Sequence, residues 1–423
     1  MTDQSTNRRG FLRAAGAVGA FTILKPSLVR GSAANSAVRV GLLGCGHRGS
    51  TDAGNIAQYT GARIVALADL FQDQLDRAKQ RFDKVAEAKA YAGVAQTFVG
   101  PDSSLRLFES KEVDAVLIAT PAYFHPEHLA GAAQGGKHVY VEKPVAVDVP
   151  GAKQVLDIGR SMEGRLNLDV GFQIRSAPPF VELVRRIHGG ALGDIAAAEV
   201  HYNAALPEYP DFPKAGPQEL RIRNWLRDRT LSGDIIVEQN IHVIDICNWI
   251  LQGPPLKAVG RGGRKGRGPM GGDVYSHFDV VFEYPNDVQV SFSSVQFGKG
   301  KFDVTEQFFG TKGTSKSPYS GPLGIEGDEP WTWAGSEQQQ GVAFSANGSF
   351  SDNLAEADSE KQKGFIGAIE SGQLHKQAAQ GVESALTAML GRQAAYSGHE
   401  VTWEELLRSN ERWDSGIDVH KLA

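Results

Sequence analysis

Val38-Arg39-Val40-Gly41-Leu42-Leu43-Gly44-Cys45-Gly46-His47-Arg48-Gly49-Ser50 decides the fold of this chain. An apolar run from Val38 to Leu43 empties into a Gly-x-Gly-x-x-Gly turn, and a second apolar run, Ile64 to Ala68, follows Gly61. The pattern reads strand, turn, helix, strand. Gly44 permits the tight turn, Gly46 lets a pyrophosphate approach the backbone, and Gly49 lets the helix sit close on the strand, its first N–H groups facing the anion. Asp69 ends the second run about 20 residues after the last glycine, where a carboxylate accepts hydrogen bonds from a ribose diol and repels a ribose phosphate. Gly44, Gly46, His47, Arg48, Gly49 and Asp69 are therefore expected to bind a dinucleotide, NAD rather than NADP, with Arg48 as a cation that could accommodate the extra phosphate. A tightly packed turn with Asp69 as a helix cap is the purely structural alternative.

Further outward, Ala115 to Ala119 runs into Thr120-Pro121, and His138 to Val141 runs into Glu142-Lys143-Pro144. Apolar runs without alternation, separated by helical stretches such as Glu127 to Gln134, indicate parallel strands covered on both faces, a doubly wound α/β sheet. Ligands gather at the carboxyl ends of such strands, and Lys143 sits at one of them. A solvated strand end would place a lysine there just as well.

The chain of 423 residues is too long for one hydrophobic core, so two domains are expected. With 44 Lys and Arg against 49 Asp and Glu, and 41% hydrophobic residues, nothing favours nucleic acid as a partner. Cys45 and Cys247 are the only cysteines, which gives no disulfide framework and no Cys-x-x-Cys metal or redox pair. Before the first strand, Arg8-Arg9 and Phe11-Leu12 precede a Gly/Ala-rich apolar stretch that ends near Leu24. That run is too short to span a bilayer and fits the twin-arginine export pattern, which carries folded passengers. Residues 1–33 are expected to be a cleavable signal, after which the protein is periplasmic and free of the membrane.

In the second half, Asp234 can cap a helix running to Leu251 before Gly253-Pro254-Pro255. Glu238, His242 and Asp245 then share one face at i, i+4 and i+7, where a carboxylate can orient an imidazole and raise its basicity. The wet side of an amphipathic helix, prolonged by Asn248 and Gln252, explains the same pattern, and His242 with its carboxylates could also be a metal site. Strands are expected over Ala196 to Tyr202, Leu256 to Val259, His277 to Glu283, Val288 to Gln296 and Val304 to Phe309, with a hairpin turn at Tyr284-Pro285-Asn286-Asp287. The Gly-rich run from Gly260 to Gly272 and the polar region from Ser315 to Asn353 read as loops. The donor-rich stretch Arg221 to Arg229 suits carbohydrate hydroxyls, with Arg223 and Trp225 as candidate contacts.

Gly44-x-Gly46-x-x-Gly49, Thr120-Pro121-Ala122-Tyr123-Phe124-His125, Gly136-Lys137-His138-Val139 and Glu142-Lys143-Pro144, in this order, resemble the glucose-fructose oxidoreductase / inositol dehydrogenase / MocA family. Gly171-Phe172-Gln173-Ile174-Arg175, the stretch Glu238-Gln239-Asn240-Ile241-His242-Val243-Ile244-Asp245 and the closing Val401-Thr402-Trp403-Glu404-Glu405-Leu406 extend the likeness over nearly the whole mature chain. The resemblance implies a Rossmann domain, here 38–146, and a C-terminal domain, 147–423, with an open, mostly antiparallel sheet used for dimer or tetramer contacts. It implies NAD or NADP and substrates that are sugars, cyclitols or their derivatives. Thr120, Pro121, His125 and Glu142 join the expected cofactor contacts, and Gln173, Arg175 and Asp245 join Arg223 and Trp225 as expected substrate contacts. By the same resemblance Lys143 lies near the nicotinamide and the reacting carbon, and His242 exchanges the hydroxyl proton. Family members commonly carry Asp four residues before that histidine, whereas this chain carries Glu238.

The expected activity is hydride transfer between a tightly bound nicotinamide and a hydroxyl-bearing carbon, with Lys143, His242 and Glu238 as the catalytic set and no metal. Because free NAD is scarce outside the cytoplasm, export implies a nucleotide loaded beforehand and regenerated in a redox-neutral cycle. Two other functions fit the same residues: an NAD-dependent glycosidase or lyase, and a non-catalytic sugar-binding or sensor protein.

Overall fold

The computed structural model describes residues 37–205, 211–265, 272–296, 302–334 and 352–422. The expected export signal lies outside them.

Six parallel strands form the first sheet: β1 (Arg39–Leu43), β2 (Arg63–Asp69), β3 (Gln96–Val99), β4 (Ala115–Ile118), β5 (His138–Val141) and β6 (Leu168–Val170). Their order is β3-β2-β1-β4-β5-β6, the doubly wound arrangement in which strand order reverses between β1 and β4 and ligands bind beyond the strand ends. The central strands lack alternation because both faces are covered: Val40, Leu42 and every residue of β4 are fully buried. β6 comes after residue 146, so the sheet continues past the boundary expected there. The helix Val149–Met162, capped by Asp148 through Gly151 N–H, makes the last crossover.

The second sheet has nine strands: β7 (Ile195–Asn203), β8 (Lys257–Gly263), β9 (His277–Tyr284), β10 (Val288–Val295), β11 (Asp303–Gly310), β12 (Gly313–Pro318), β13 (Gly324–Gly327), β14 (Trp331–Thr332) and β15 (Val401–Thr402). Its order is β14-β13-β12-β11-β7-β10-β9-β8-β15. Only β7 and β10 run parallel; the other pairs are antiparallel. Here side chains alternate, with Phe278, Val280, Phe282 and Tyr284 buried while Asp279 and Val281 face outward. The helices Ile241–Leu251 and Ala378–Ser397 cover the inner face. Asn248 ties the two layers, accepting from Tyr284 Oη at 2.7 Å and donating to Thr387 Oγ1 at 3.0 Å.

The structure corrects three readings of this half. The glycine-rich run begins as β8, where a Cβ at Gly260 would meet Asp279 O at 2.5 Å. The polar region after Ser315 holds the end of β12 and all of β13 and β14; Gly324 lets β13 close on Trp331 O, which an added Cβ would meet at 2.3 Å. Strand pairing outweighs propensity at such an edge. The helix expected from Asp234 to Leu251 is two helices, Ile235–Glu238 and Ile241–Leu251. Asn240 N donates five residues back to Ile235 O, which breaks the regular ladder.

Candidate functional site

The glycine turn stands at the reversal point of the first sheet, and its three glycines have three different surroundings. Gly44 has φ +91°, and a Cβ there would meet Ala119 O at 2.6 Å; at Gly49 it would meet Gly44 O at 2.1 Å. At Gly46 nothing lies within 4 Å. Two glycines are thus required by the protein's own packing, whereas the middle one faces open space, which suits a phosphate group. The helix His47–Tyr59 starts there, presenting unpaired N–H groups to an anion. Asp69 closes the cradle. Its Oδ2 accepts from Cys45 N at 2.6 Å and its Oδ1 from Phe71 N at 2.9 Å, while burial, opposed by those two bonds, pushes its carboxyl up to about 6. A carboxylate so placed retains lone pairs for a ribose diol. These residues fit an NAD nucleotide. His47 is exposed beside the turn.

Arg48 is not available for a ribose phosphate. Its guanidinium pairs with Asp52 at 3.1 Å, Glu142 at 3.1 Å and Asp358 at 2.8 Å. Glu142 in turn accepts from Lys143 N at 3.1 Å through Oε2. Gly171 makes room for it: a Cβ there would meet Glu142 Oε1 at 2.3 Å. Glu142 and Arg48, expected to touch the cofactor, instead brace the strand end that carries Lys143. His125 is likewise a brace, its Nδ1 lying 2.7 Å from Pro144 O and its Nε2 2.7 Å from Thr120 O, so that it staples the loops after β4 and β5 together. Thr120 and Pro121 remain partly exposed at the end of β4.

Lys143 Nζ reaches across to the helix break, donating to Glu238 Oε1 at 2.7 Å and to Glu238 O at 2.6 Å. This overturns the expected Glu238–His242 partnership. With the helix interrupted at Gln239–Asn240, Glu238 turns to the lysine, and His242 Nδ1 has no hydrogen-bond partner. Burial, reinforced by the positive charges of Lys143 and Arg48, pushes the imidazole well below its usual pKa, so the ring is neutral rather than made more basic. Phe172 lies perpendicular to it, with ring centroids 6.5 Å apart.

Asp245 and Arg175, expected at the substrate, form a structural pair. Arg175 donates to Asp245 at 2.8 and 2.9 Å and lies over Trp249, and Ser384 Oγ adds a third bond to Asp245 at 2.6 Å. Gln173 is buried with Oε1 unpartnered. Arg223 packs on Phe71 and pairs with Asp73 just past the end of β2, and none of its described contacts is to Lys143 or His242. Trp225 is half-buried in the next turn, and the described contacts do not tie it to Lys143 or His242.

Three residues adjoin this site without being expected there as functional residues. Asp358 meets Arg48 from 310 positions away, with no local pattern to announce it. Asn240 is fully buried with both amide atoms unpartnered. Tyr202 of β7 adjoins the site: burial and then the charge of Glu238 push its phenol above the usual range. Among the described residues no group of three or more His, Cys, Asp or Glu side chains is arranged to hold a metal ion, and no helix is long and apolar enough to cross a membrane.

Comparison with known proteins agrees with this geometry. Residues 38–170 match the Gfo/Idh/MocA oxidoreductase family, NAD-binding Rossmann fold, and residues 180–316 match the C-terminal domain of the same family. Inositol 2-dehydrogenase 4 of Saccharopolyspora erythraea is 32% identical over 227 residues, 53% of this chain; the match spans 57% of that relative's length. Inositol 2-dehydrogenase of Rhizobium meliloti is 25% identical over 292 residues, covering 68% of this chain and 78% of the relative. A levoglucosan dehydrogenase solved with NADH and levoglucosan shares the fold, with a TM-score of 0.69 and 19% identity over 86% of this chain and 99% of that one. With the glycine turn, Asp69, the Lys143 strand end and the His242 helix all in place on a parallel and a mixed sheet, the chain belongs to the Gfo/Idh/MocA oxidoreductase family, whose N-terminal domain is an NAD-binding Rossmann fold.

Proposed function

We propose that this protein is an NAD-dependent dehydrogenase that transfers hydride between the nicotinamide and a hydroxyl-bearing carbon of a sugar, cyclitol or glycoside. The observation that carries the reading is the convergence of Lys143 with the Glu238–His242 segment: an ammonium at the end of β5 stands beside a buried, neutral imidazole. Polyhydroxylated substrates are supported by the relatives, named inositol 2-dehydrogenases, and by the levoglucosan dehydrogenase fold.

A bound nicotinamide supplies the hydride acceptor. Gly46 and the start of the helix His47–Tyr59 would hold the pyrophosphate of NAD, and Asp69 would hold its adenosine ribose. His242, neutral and without a carboxylate partner, takes the hydroxyl proton. Lys143 donates to the same oxygen and stabilises the negative charge that develops there. Glu238 holds the ammonium in place and offers it two oxygens to return to. Lys143, His242 and Glu238 keep the catalytic assignment, but Glu238 serves the lysine.

Arg8-Arg9 and Phe11-Leu12 support export by the twin-arginine machinery to the periplasm, with NAD loaded before transport, held tightly and regenerated within the cycle. A dimer or tetramer through the open sheet is supported by Val259 and Val281, register partners on its outer face and 46% and 36% exposed.

The test is to denature the mature protein purified from the periplasm, identify the nucleotide released, and screen cyclitols and glycosides for C–H isotope exchange. Stoichiometric NAD and exchange at one carbon are expected. Protein that carries and binds no nucleotide, with no exchange on any substrate, overturns the reading. Replacing Arg8 and Arg9 by Lys should leave the protein in the cytoplasm.

A further inference from the structure

Arg223 ends the helix Pro217–Arg223, which lies in the sequence between β7 and β8 of the second sheet, yet its guanidinium lies against the segment that follows β2 of the first. It stacks 3.9 Å over the centroid of the Phe71 ring and 4.7 Å over that of Phe212. It donates to Asp73 through Nη2 at 2.9 Å and Nη1 at 3.3 Å, and to Glu219 through Nε at 2.7 Å. Its side chain is only 10% exposed. Phe71 precedes the helix Gln72–Ala88, which follows Asp69 closely, and Asp73 lies in its first turn; Phe71 N is one of the two donors that hold the Asp69 carboxylate. The contact thus closes on the segment that receives the adenosine ribose, and the positive charge of Arg223 is felt at Asp69 itself.

We propose that the helix Pro217–Arg223 is a latch over the adenosine end of the dinucleotide, with Arg223 as its catch, and that release of Arg223 from Phe71 and Asp73 sets the rate at which nucleotide leaves. The proposal rests on the NAD reading above. A guanidinium packed on two aromatic rings and anchored by two carboxylates is a rigid cover, since stacking and bidentate hydrogen bonding fix its plane together. Three of its five N–H groups go to Asp73 and Glu219, whose carboxylates already balance its charge, so its role toward a nucleotide is to cover it rather than to bind a ribose phosphate.

The test follows NADH fluorescence as bound NADH is chased from the full mature protein with excess NAD. Wild type is compared with Arg223→Ala, Asp73→Asn and the double variant, with thermal unfolding recorded for each. Both single variants should release NADH at least tenfold faster, and the double variant no faster than Arg223→Ala, because the pair that Asp73→Asn weakens is already gone in Arg223→Ala. Asp73→Asn keeps the Phe71 stack and the Glu219 pair, so it decides alone if Arg223→Ala does not fold. Unchanged release rates, with or without a lower melting temperature, overturn the latch and leave the NAD reading standing. A wild-type protein that binds no NADH overturns both.

Discussion

Lys143 Nζ donates to two oxygens of a single residue, Glu238 Oε1 at 2.7 Å and Glu238 O at 2.6 Å, joining the end of β5 to a break between two helices 95 residues away. Replacing Lys143 by Ala should lower kcat by roughly 10²- to 10⁴-fold while NADH affinity is kept, because the glycine turn and Asp69 hold the nucleotide without it. Glu238→Gln keeps a hydrogen-bond acceptor for the ammonium and should lose less. Steady-state kinetics beside an NADH titration separate the two effects; full turnover by Lys143→Ala would remove the lysine from the mechanism.

The surroundings of the glycines give opposite expectations for the same substitution. Gly46→Ala meets no protein atom within 4 Å and should fold with an unchanged melting temperature but bind NADH poorly. Gly49→Ala drives a Cβ to 2.1 Å from Gly44 O, and should cost about 2–5 kcal/mol of stability. Thermal unfolding and NADH binding, measured on both variants, check the contrast.

Asp69 gives nucleotide binding a pH dependence. Its folded carboxyl titrates near 6 because it is buried, so it is ionised above that pH and protonated below it. The ionised form is the better acceptor for a ribose diol. NADH affinity should therefore fall as pH drops below about 6, and Asp69→Asn should be weaker throughout and lack that dependence. Folding stability follows the other sign: a carboxyl raised above its unfolded value favours the folded state at low pH, and this advantage is lost as pH rises through about 6. Titrations between pH 5 and 8 distinguish the two trends.

Asp245 tests the reassignment from substrate contact to internal support. Asp245→Ala strands Arg175 without its carboxylate and should cost about 3–5 kcal/mol, as when one partner of a buried pair is removed. The KM for the substrate should stay unchanged in the folded fraction. A raised KM at unchanged melting temperature would return Asp245 to the substrate.

The parts of the site legible in the sequence are those whose geometry is local. Gly44, Gly46, Gly49 and Asp69 lie within one strand-turn-helix-strand unit, so their spacing carries their arrangement. Lys143 is legible as a strand end, but its partner is not, because the apolar residues around Glu238 continue a helical pattern through a break made by Asn240 N bonding to Ile235 O. Arg48 looks available in the sequence because two of the three carboxylates that take it, Glu142 and Asp358, arrive from distant parts of the chain. Arg175 and Asp245 are charged residues in an apolar helical layer, and only their mutual contact distinguishes a support from a binding pair. The β12–β14 edge is hidden by its glycines, which serve close strand approach rather than chain reversal.

Asp358 opens the helix Ala357–Ser371, whose Phe365 and Ile366 are buried in the same apolar cluster as Val40, Leu42 and Ile64. During synthesis, an N-terminal half emerging from the ribosome has Asp52 and Glu142 beside Arg48 but lacks its third carboxylate, and part of the packing on its own sheet, until residues 358–366 have been made. The cradle has its full set of contacts only once residue 366 has been made, and a chain cut short after β6 would leave its founding core with a raw, uncovered flank.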